Sequence, residues 1–174
     1  VRVREIASKC RLNLEHLRRF PHAFSGGQRQ RISIARTLVC NPNFVIADES
    51  VAALDVSIQA DILNLLKTLQ HDLGLTFLFI SHDLNLMASF CDRVLIMYAG
   101  RIVEECRASE LAQAKHPYTK GLLEAMPRID IDNEVLKTIP GNPPNMMNLP
   151  KGCPFSDRCD YRIDNCSTTM PELE

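Results

Sequence analysis

Two short apolar runs, each ending in a cluster of polar side chains, constrain this chain more than any other feature. Asn43–Ala47 carries Val and Ile and leads straight into Asp48-Glu49, and Thr76–Ile80 leads into Ser81-His82-Asp83. Short continuous apolar runs of this kind predict buried strands. Between them Ile58, Ile62, Leu65, Leu66, Leu69 and Leu73 recur at helical spacing. Asp55 or Ser57 offers that helix an N-cap and Gly74 a stop. In open α/β sheets ligands bind outside the carboxyl ends of the strands. Asp48, Glu49 and His82 are therefore expected together at one edge of a sheet.

The rest of the chain extends the same layered α/β pattern. A short helix is predicted near Leu84–Phe90 and a third strand over Arg93–Tyr98. Ala99-Gly100 turns that strand into an antiparallel arm, Arg101–Glu104, and helices follow at Ser109–Ala114 and Tyr118–Ala125. Seven of the ten prolines and three of the seven cysteines lie from Pro127 onward. The boundary is accordingly placed at Met126–Pro127, giving a domain over 1–126 and a small Pro/Cys-rich extension over 127–174.

Charge and cysteine content exclude several classes. Twenty basic against twenty-one acidic residues leave a net charge of −1, which argues against a dedicated nucleic-acid binder. The longest apolar stretches, such as Phe77–Ile80, fall far short of a span of about 20 residues, and no signal segment opens the chain. A cytosolic setting is expected, where seven cysteines read as buried thiols or metal ligands rather than a disulfide framework. The chain opens on Val1, not Met, so a piece of something longer is expected.

Three groups of residues carry chemistry. Phe24-Ser25-Gly26-Gly27-Gln28 precedes a helical run through Ile32, Ala35, Leu38 and Val39, and Ser25 with Gln28 fits a capping box. The glycines leave backbone amides uncovered at the positive end of the helix, a site for phosphate oxygens. A plain Gly-rich turn into a helix fits these five residues equally well, and Arg29 and Arg31 read most simply as solvated. Asp48 can hold the water shell of Mg²⁺ while Glu49 polarises a water attacking a γ-phosphate; the bland alternative is an acidic pair in a surface loop. His82 can contact a γ-phosphate and orient that water, or be an ordinary strand-end histidine. Asp55 alone is simply a helix cap.

Taken in order, Phe24–Gln28, Phe44–Glu49, Leu54-Asp55 and Ser81-His82-Asp83 resemble the signature motif, Walker B, D-loop and switch histidine of ABC-transporter ATPases. His116-Pro117-Tyr118-Thr119, Gly121-Leu122-Leu123, Ile139-Pro140-Gly141 and Gly152-Cys153-Pro154-Phe155 resemble the C-terminal extension of the oligopeptide and dipeptide importer ATPases. The resemblance implies the C-terminal part of a P-loop ABC ATPase domain followed by that extension. It implies that Ser25, Gly26, Gly27 and Gln28 contact ATP bound to a partner subunit, that Asp48 serves Mg²⁺, and that Glu49 is the general base. His82 would be the switch and Asp55 would couple two sites across a dimer. It further implies a second ABC ATPase subunit, identical or paralogous, two transmembrane permease subunits and a periplasmic or extracellular peptide-binding protein, with no nucleic acid. The subunit would lie peripherally on the cytoplasmic face of the membrane.

The sequence departs from this family in several places. Phe24 stands where Leu is usual, and Ser50, Val51 and Ala52 replace the usual Pro and hydroxylic residues. None of the seven glycines is followed by Lys, so there is no G-x-x-x-x-G-K-[ST] phosphate loop. The resemblance places that loop's strand beside Thr76–Ile80, between it and Arg93–Tyr98. Its absence predicts a gapped sheet, uncovered apolar surface, and an isolated chain that aggregates or is partly unfolded.

Cys153-x5-Cys159-x6-Cys166 resembles the [4Fe–4S]-type cysteine group of similar importers, with a fourth ligand missing; C-x2-C zinc spacing is absent. Cys10, Cys40, Cys91 and Cys106 read as small buried or semi-exposed residues. Three rivals remain: a soluble ABC ATPase of DNA repair or translation, a catalytically inactive chain that keeps only its signature surface, and a metal-binding interaction module.

Overall fold

A computed structural model describes residues 2–126 and 137–173. The boundary expected at Met126–Pro127 abuts residues 127–136, which lie outside the described residues. The compact units divide elsewhere, into Val1–Asp83 and Leu84–Glu174.

In the first unit, α1 (Arg2–Lys9) and α2 (Gly26–Val39) are joined by two 3-10 turns, Leu14–Arg18 and Pro21–Ala23. The polar sequence preceding Phe24 gave no periodicity from which α1 was foreseen. Strand β1 (Phe44–Asp48), helix α3 (Val56–Leu73) and strand β2 (Thr76–Ile80) follow. Gly74 ends α3 in the left-handed region at φ 64°, where a residue without Cβ is not strained. The core joins Ile6 and Cys10 of the first helical segment to Ala35 and Leu38 of α2 and to Leu65 and Leu69 of α3, with Leu75. Val45 of β1 and Phe77 of β2 pack against it. Burial of Cys10 pushes its thiol up to about 11, outweighing the nearby Arg31 charge. Asp61 of α3 pairs with both Arg11 and Arg31, and Arg31 also donates to the Cys10 carbonyl at 3.1 Å, tying the three helices at one edge.

The two strands pair in parallel, with Phe44 opposite Thr76, Ile46 opposite Leu78 and Asp48 opposite Ile80. They form a two-stranded sheet; among the described residues no third strand joins β2. Both runs were expected to be buried, but only one face is covered. Period-two alternation turns Val45, Ala47 and Phe77 inward and leaves Phe44, Ile46, Leu78 and Ile80 exposed. Phe44, Ile46, Leu78 and Ile80 form an uncovered apolar face, whereas the strand that the resemblance places beside β2 would cover its edge and not this face.

In the second unit, α4 (Leu84–Phe90) leads to β3 (Arg93–Tyr98) and antiparallel β4 (Arg101–Arg107), with a register irregularity at Ile96/Met97. Val94, Ile96 and Tyr98 point inward while Leu95 and Met97 are exposed. The helix predicted over Ser109–Ala114 is a 3-10 turn, Ala108–Gln113; α5 spans Pro117–Glu124. Phe155 of the extension is buried against Tyr98 and Tyr118. Arg158 fixes this segment by donating to the carbonyls of Ile139 and Pro140 and to the Tyr98 hydroxyl, at 3.1, 2.8 and 3.2 Å. Buried Glu104 accepts the backbone N–H groups of Lys115 and His116 ahead of α5.

Candidate active site

The parallel register brings the carboxyl ends of β1 and β2 level, so the residues after Asp48 and Ile80 leave the sheet side by side. Glu49 donates its N–H to the Ile80 carbonyl at 3.0 Å, carrying the ladder one residue further. Its backbone then enters the left-handed region at φ 45°. For a residue with a Cβ this costs about 1–2 kcal/mol, and it is the kind of local strain that collects at functional sites. The Glu49 side chain meets His82, Oε1 to Nδ1 at 2.9 Å. The hydrogen bond from Glu49 and then its charge raise the His82 pKa above the ordinary histidine value, overcoming a small opposing desolvation. The His82 side chain is 80% exposed and that of Glu49 43%, so the pair adds little to stability. It leaves both groups open to an incoming ligand.

Asp48, at the end of β1, is exposed and has no hydrogen-bond or ion-pair partner among the described residues. A free carboxylate beside Glu49 suits Mg²⁺ arriving with a phosphate ligand, since that ion keeps most of its waters and takes one or two protein carboxylates.

A second group forms at the start of α2. Ser25 Oγ accepts the Gln28 N–H at 3.3 Å, and Gln28 Oε1 accepts the Ser25 N–H at 3.1 Å, completing the capping box that the sequence predicts. Gly26 and Gly27 lie within the helix and neither has a positive φ, so no turn conformation requires them. Sterics separate the two. A Cβ at Gly27 would sit 2.8 Å from Ile58 Cγ2, so this glycine lets α2 approach α3. A Cβ at Gly26 would meet only Leu54 Cδ2 at an ordinary 3.6 Å, and the residue is exposed. The fold thus does not demand glycine at position 26, and the open amide face there suits a phosphate oxygen.

The same contacts bring the signature segment against Leu54, next to Asp55. Asp55 occupies the N-cap position of α3, but its side chain makes no capping hydrogen bond. The cap position is as the sequence predicts, with the Asp55 carbonyl accepting the Gln59 N–H at 2.8 Å, while the carboxylate is not consumed by the helix. Among the described residues no hydrogen bond or ion pair links Ser25–Gln28 to Glu49–His82; they are two separate groups in one unit.

Cys153, Cys159 and Cys166 are not gathered into a metal-holding group among the described residues. Among the described residues no three His, Cys, Asp or Glu side chains are placed to hold a metal ion. Cys153 is buried and its N–H donates to the Cys166 carbonyl at 2.8 Å, so this spacing closes a loop. Burial raises the Cys159 thiol pKa, and the neighbouring Cys153 and Cys166 raise it further.

Sequence reading missed Glu104 and Arg158, whose positions carry no pattern; only the fold shows the orphan backbone groups they satisfy.

Residues 1–52 match the ABC transporter family, and residues 103–166 match the C-terminal region of oligopeptide/dipeptide transporters. Over 158 residues the chain is 48% identical to the oligopeptide transport ATP-binding protein OppD of Escherichia coli, covering 90% of this chain and 47% of that protein. It is 49% identical to OppD of Haemophilus influenzae over 148 residues, 84% of this chain and 46% of the relative. The chain thus spans about half the length of these curated relatives. Among solved structures, cbiO1 of Clostridium perfringens, part of the ABC transporter complex cbiONQ, superposes with a TM-score of 0.59 at 33% identity, over 64% of this chain and 44% of that one. The ADP conformation of MJ1267, an ATP-binding cassette of an ABC transporter, gives 0.60 at 28% identity, over 70% and 48%. With its α/β fold, its signature helix and its paired strand ends, the chain belongs to the ABC-transporter ATP-binding proteins of the oligopeptide/dipeptide importer family.

Proposed function

We propose that this chain carries the hydrolytic half of an ATP-binding subunit that powers peptide uptake across the cytoplasmic membrane. The observation that carries the reading is the Glu49–His82 contact of 2.9 Å at the level ends of two parallel strands, with Asp48 free beside it. In this reading Asp48 holds the water shell of the Mg²⁺ that accompanies ATP. Glu49 takes a proton from a water whose oxygen bonds to the γ-phosphorus as the bond to the β–γ bridging oxygen breaks, leaving ADP and phosphate. His82 donates to a γ-phosphate oxygen and holds the water in line. The Glu49 contact raises the His82 pKa above the ordinary histidine value, which favours the protonated, donating form.

Ser25, Gly26, Gly27 and Gln28 face the γ-phosphate of ATP held by a second ATPase subunit, and Asp55 couples the two sites. Two transmembrane permease subunits and an external peptide-binding protein complete the importer. The subunit is peripheral on the cytoplasmic face; among the described residues no helix is long and apolar enough to cross a membrane. Residues 1–126 belong to the nucleotide-binding domain and 127–174 to the importer extension.

In a second reading the chain offers only its signature surface to a partner's ATP. Both readings expect no ATP turnover from the chain alone. They separate in a chimera that joins the preceding half of E. coli OppD to this chain. Mg²⁺-dependent hydrolysis that falls by about 10²-fold or more in E49Q supports the hydrolytic reading. Turnover indifferent to E49Q and H82A overturns it.

A further inference from the structure

Away from the strand ends, the first unit holds a cavity of about 500 Å³ between α2 and the turns that precede it. This lies within the roughly 300–1,000 Å³ typical of small-ligand sites. Four arginines line it, Arg11, Arg19, Arg29 and Arg36, and no Asp or Glu does. In a chain whose charges nearly balance, this concentration of one sign is a local feature. Among the described residues only Arg11 of the four has a carboxylate within ion-pair distance, Asp61 at 3.3 Å. Arg29 spends its Nε on the Phe24 carbonyl at 3.0 Å and keeps its terminal nitrogens. Arg19 and Arg36 are exposed and unpaired.

The floor is of a different kind. Leu12, Leu17, Phe24 and Ile32 give it an apolar surface, and Asn13, His16, Gln28 and Ser33 add amide, imidazole and hydroxyl groups. Asn13 Oδ1 is held by the Glu15 N–H at 2.9 Å and Gln28 Oε1 by the Ser25 N–H, so both side chains retain free amide donors. A bare phosphate would leave the apolar floor unused. A fatty acid would satisfy the floor and one arginine but none of the amides. A ligand with several carboxylates, apolar side chains and backbone carbonyls matches all three.

We infer that this cavity binds short acidic peptides with apolar side chains, their carboxylates on Arg19, Arg29 and Arg36 and their apolar groups on Leu12, Leu17, Phe24 and Ile32. The site is separate from Glu49 and His82, and the inference stands whether or not the chain takes part in hydrolysis. Because Gln28 and Arg29 belong to the first turns of α2, an occupant rests on the helix that begins at the Ser25 cap.

The test is fluorescence anisotropy on the chimera that joins the preceding half of E. coli OppD to this chain, with labelled Glu-Leu-Glu-Phe-Glu. A Kd on the order of 10⁻⁵–10⁻⁴ M is expected at ~0.01 M ionic strength, weakening at ~0.15 M as the Debye length falls from about 30 to about 8 Å. The double variant R19E/R36E should weaken binding at least about tenfold, a change of ~1.4 kcal/mol. Both side chains are exposed and unpaired, so its circular dichroism should match that of the parent chimera. Glu-Ser-Glu-Ser-Glu and Lys-Leu-Lys-Phe-Lys should bind at least about tenfold more weakly than the first peptide. Equal binding of the serine peptide would reduce the site to charge adsorption and overturn the inference. So would displacement of the peptide by equimolar laurate, binding unaffected by R19E/R36E, or no binding at all.

Discussion

The two glycines of the signature segment make a sharp test, because the structure assigns them different reasons for being glycine. Gly26→Ala adds a Cβ whose nearest neighbour is Leu54 Cδ2 at 3.6 Å, an ordinary contact, at a helical position without positive φ. Replacing Gly with Ala under those conditions stabilises by about 0.4–1 kcal/mol, mainly by restricting the unfolded chain. Position 26 is the first of the helix, so the lower part of that range, ~0.5 kcal/mol, is expected. Gly27→Ala gains the same backbone advantage but drives its Cβ to 2.8 Å from Ile58 Cγ2. Ile58 must shift against α2, and overpacking of this kind costs about 1–3 kcal/mol. The net change is a loss of ~0.5–2 kcal/mol.

The signs are opposite, which is what the assay must show. Urea denaturation of the OppD chimera, followed by far-UV circular dichroism, gives the difference directly. Thermal midpoints should rise by roughly 1–2 °C for G26A and fall by several degrees for G27A. In the OppD chimera G26A should nonetheless lower ATP turnover, since its methyl covers the amide face while the fold improves. Destabilisation by G26A of more than about 1 kcal/mol would refute the reasoning, because the fold itself would then require glycine there. Unchanged turnover in that chimera would show that no ligand uses the open face.

Three further outcomes are expected. The His82 ring protons, followed by NMR, should titrate above the ordinary histidine midpoint and move back toward it in E49Q; while the Glu49 carboxylate is ionised, the ion pair is complete below that ordinary midpoint and is lost as pH rises through the raised value. Gly152→Ala would place a Cβ 2.2 Å from the Cys166 carbonyl oxygen, a collision with backbone, and should break the adjacent Cys153–Cys166 hydrogen bond. A loss of ~2–4 kcal/mol is expected, read as faster alkylation of Cys153 by mass spectrometry; an unchanged rate would count against it. Burial lowers the His116 pKa while Glu104 opposes, and its neutral Nδ1 accepts the Tyr118 N–H at 3.1 Å to cap α5. The unfolded chain therefore takes up protons first as pH falls. This contribution is present above pH ~6.5 and is lost as pH drops through the lowered value, a loss that His116→Asn should remove.

Local patterns revealed much of the fold. Thr76–Ile80, Leu84–Phe90 and Arg93–Tyr98 were legible because short apolar runs and helical spacing are written in neighbouring residues. The capping box at Ser25 and Gln28 was legible for the same reason. Helix α1 was not, since its two buried residues, Ile6 and Ala7, sit among charges that hide the period. The outward exposure of Ile46 and Leu78 was hidden too, because burial depends on what covers a face and not on the residues forming it. Arg158 illustrates the limit: its three acceptors lie between 18 and 60 residues away, and no local pattern announces them.

The candidate site divides along the same line. Glu49 and His82 are 33 positions apart, yet their meeting follows from two local facts, equal strand lengths and parallel register. Once Asp48 lies opposite Ile80, Glu49 and Ser81 emerge at the same level with His82 one residue further on, and the backbone of Glu49 turns left-handed there. The backbone, rather than the pair's own attraction, therefore creates the contact, since a pair this exposed contributes little. A ligand that competes for His82 consequently has only a weak, solvent-screened bond to displace. The fixed element is the pair of strand ends, and the movable one is the imidazole. That division suits the role proposed for His82, releasing a carboxylate and taking a phosphate oxygen within one cycle. Removing Glu49's side chain should thus leave the β1–β2 ladder intact while freeing the ring. Removing the Glu49 N–H to Ile80 bond should instead disorder both residues at once.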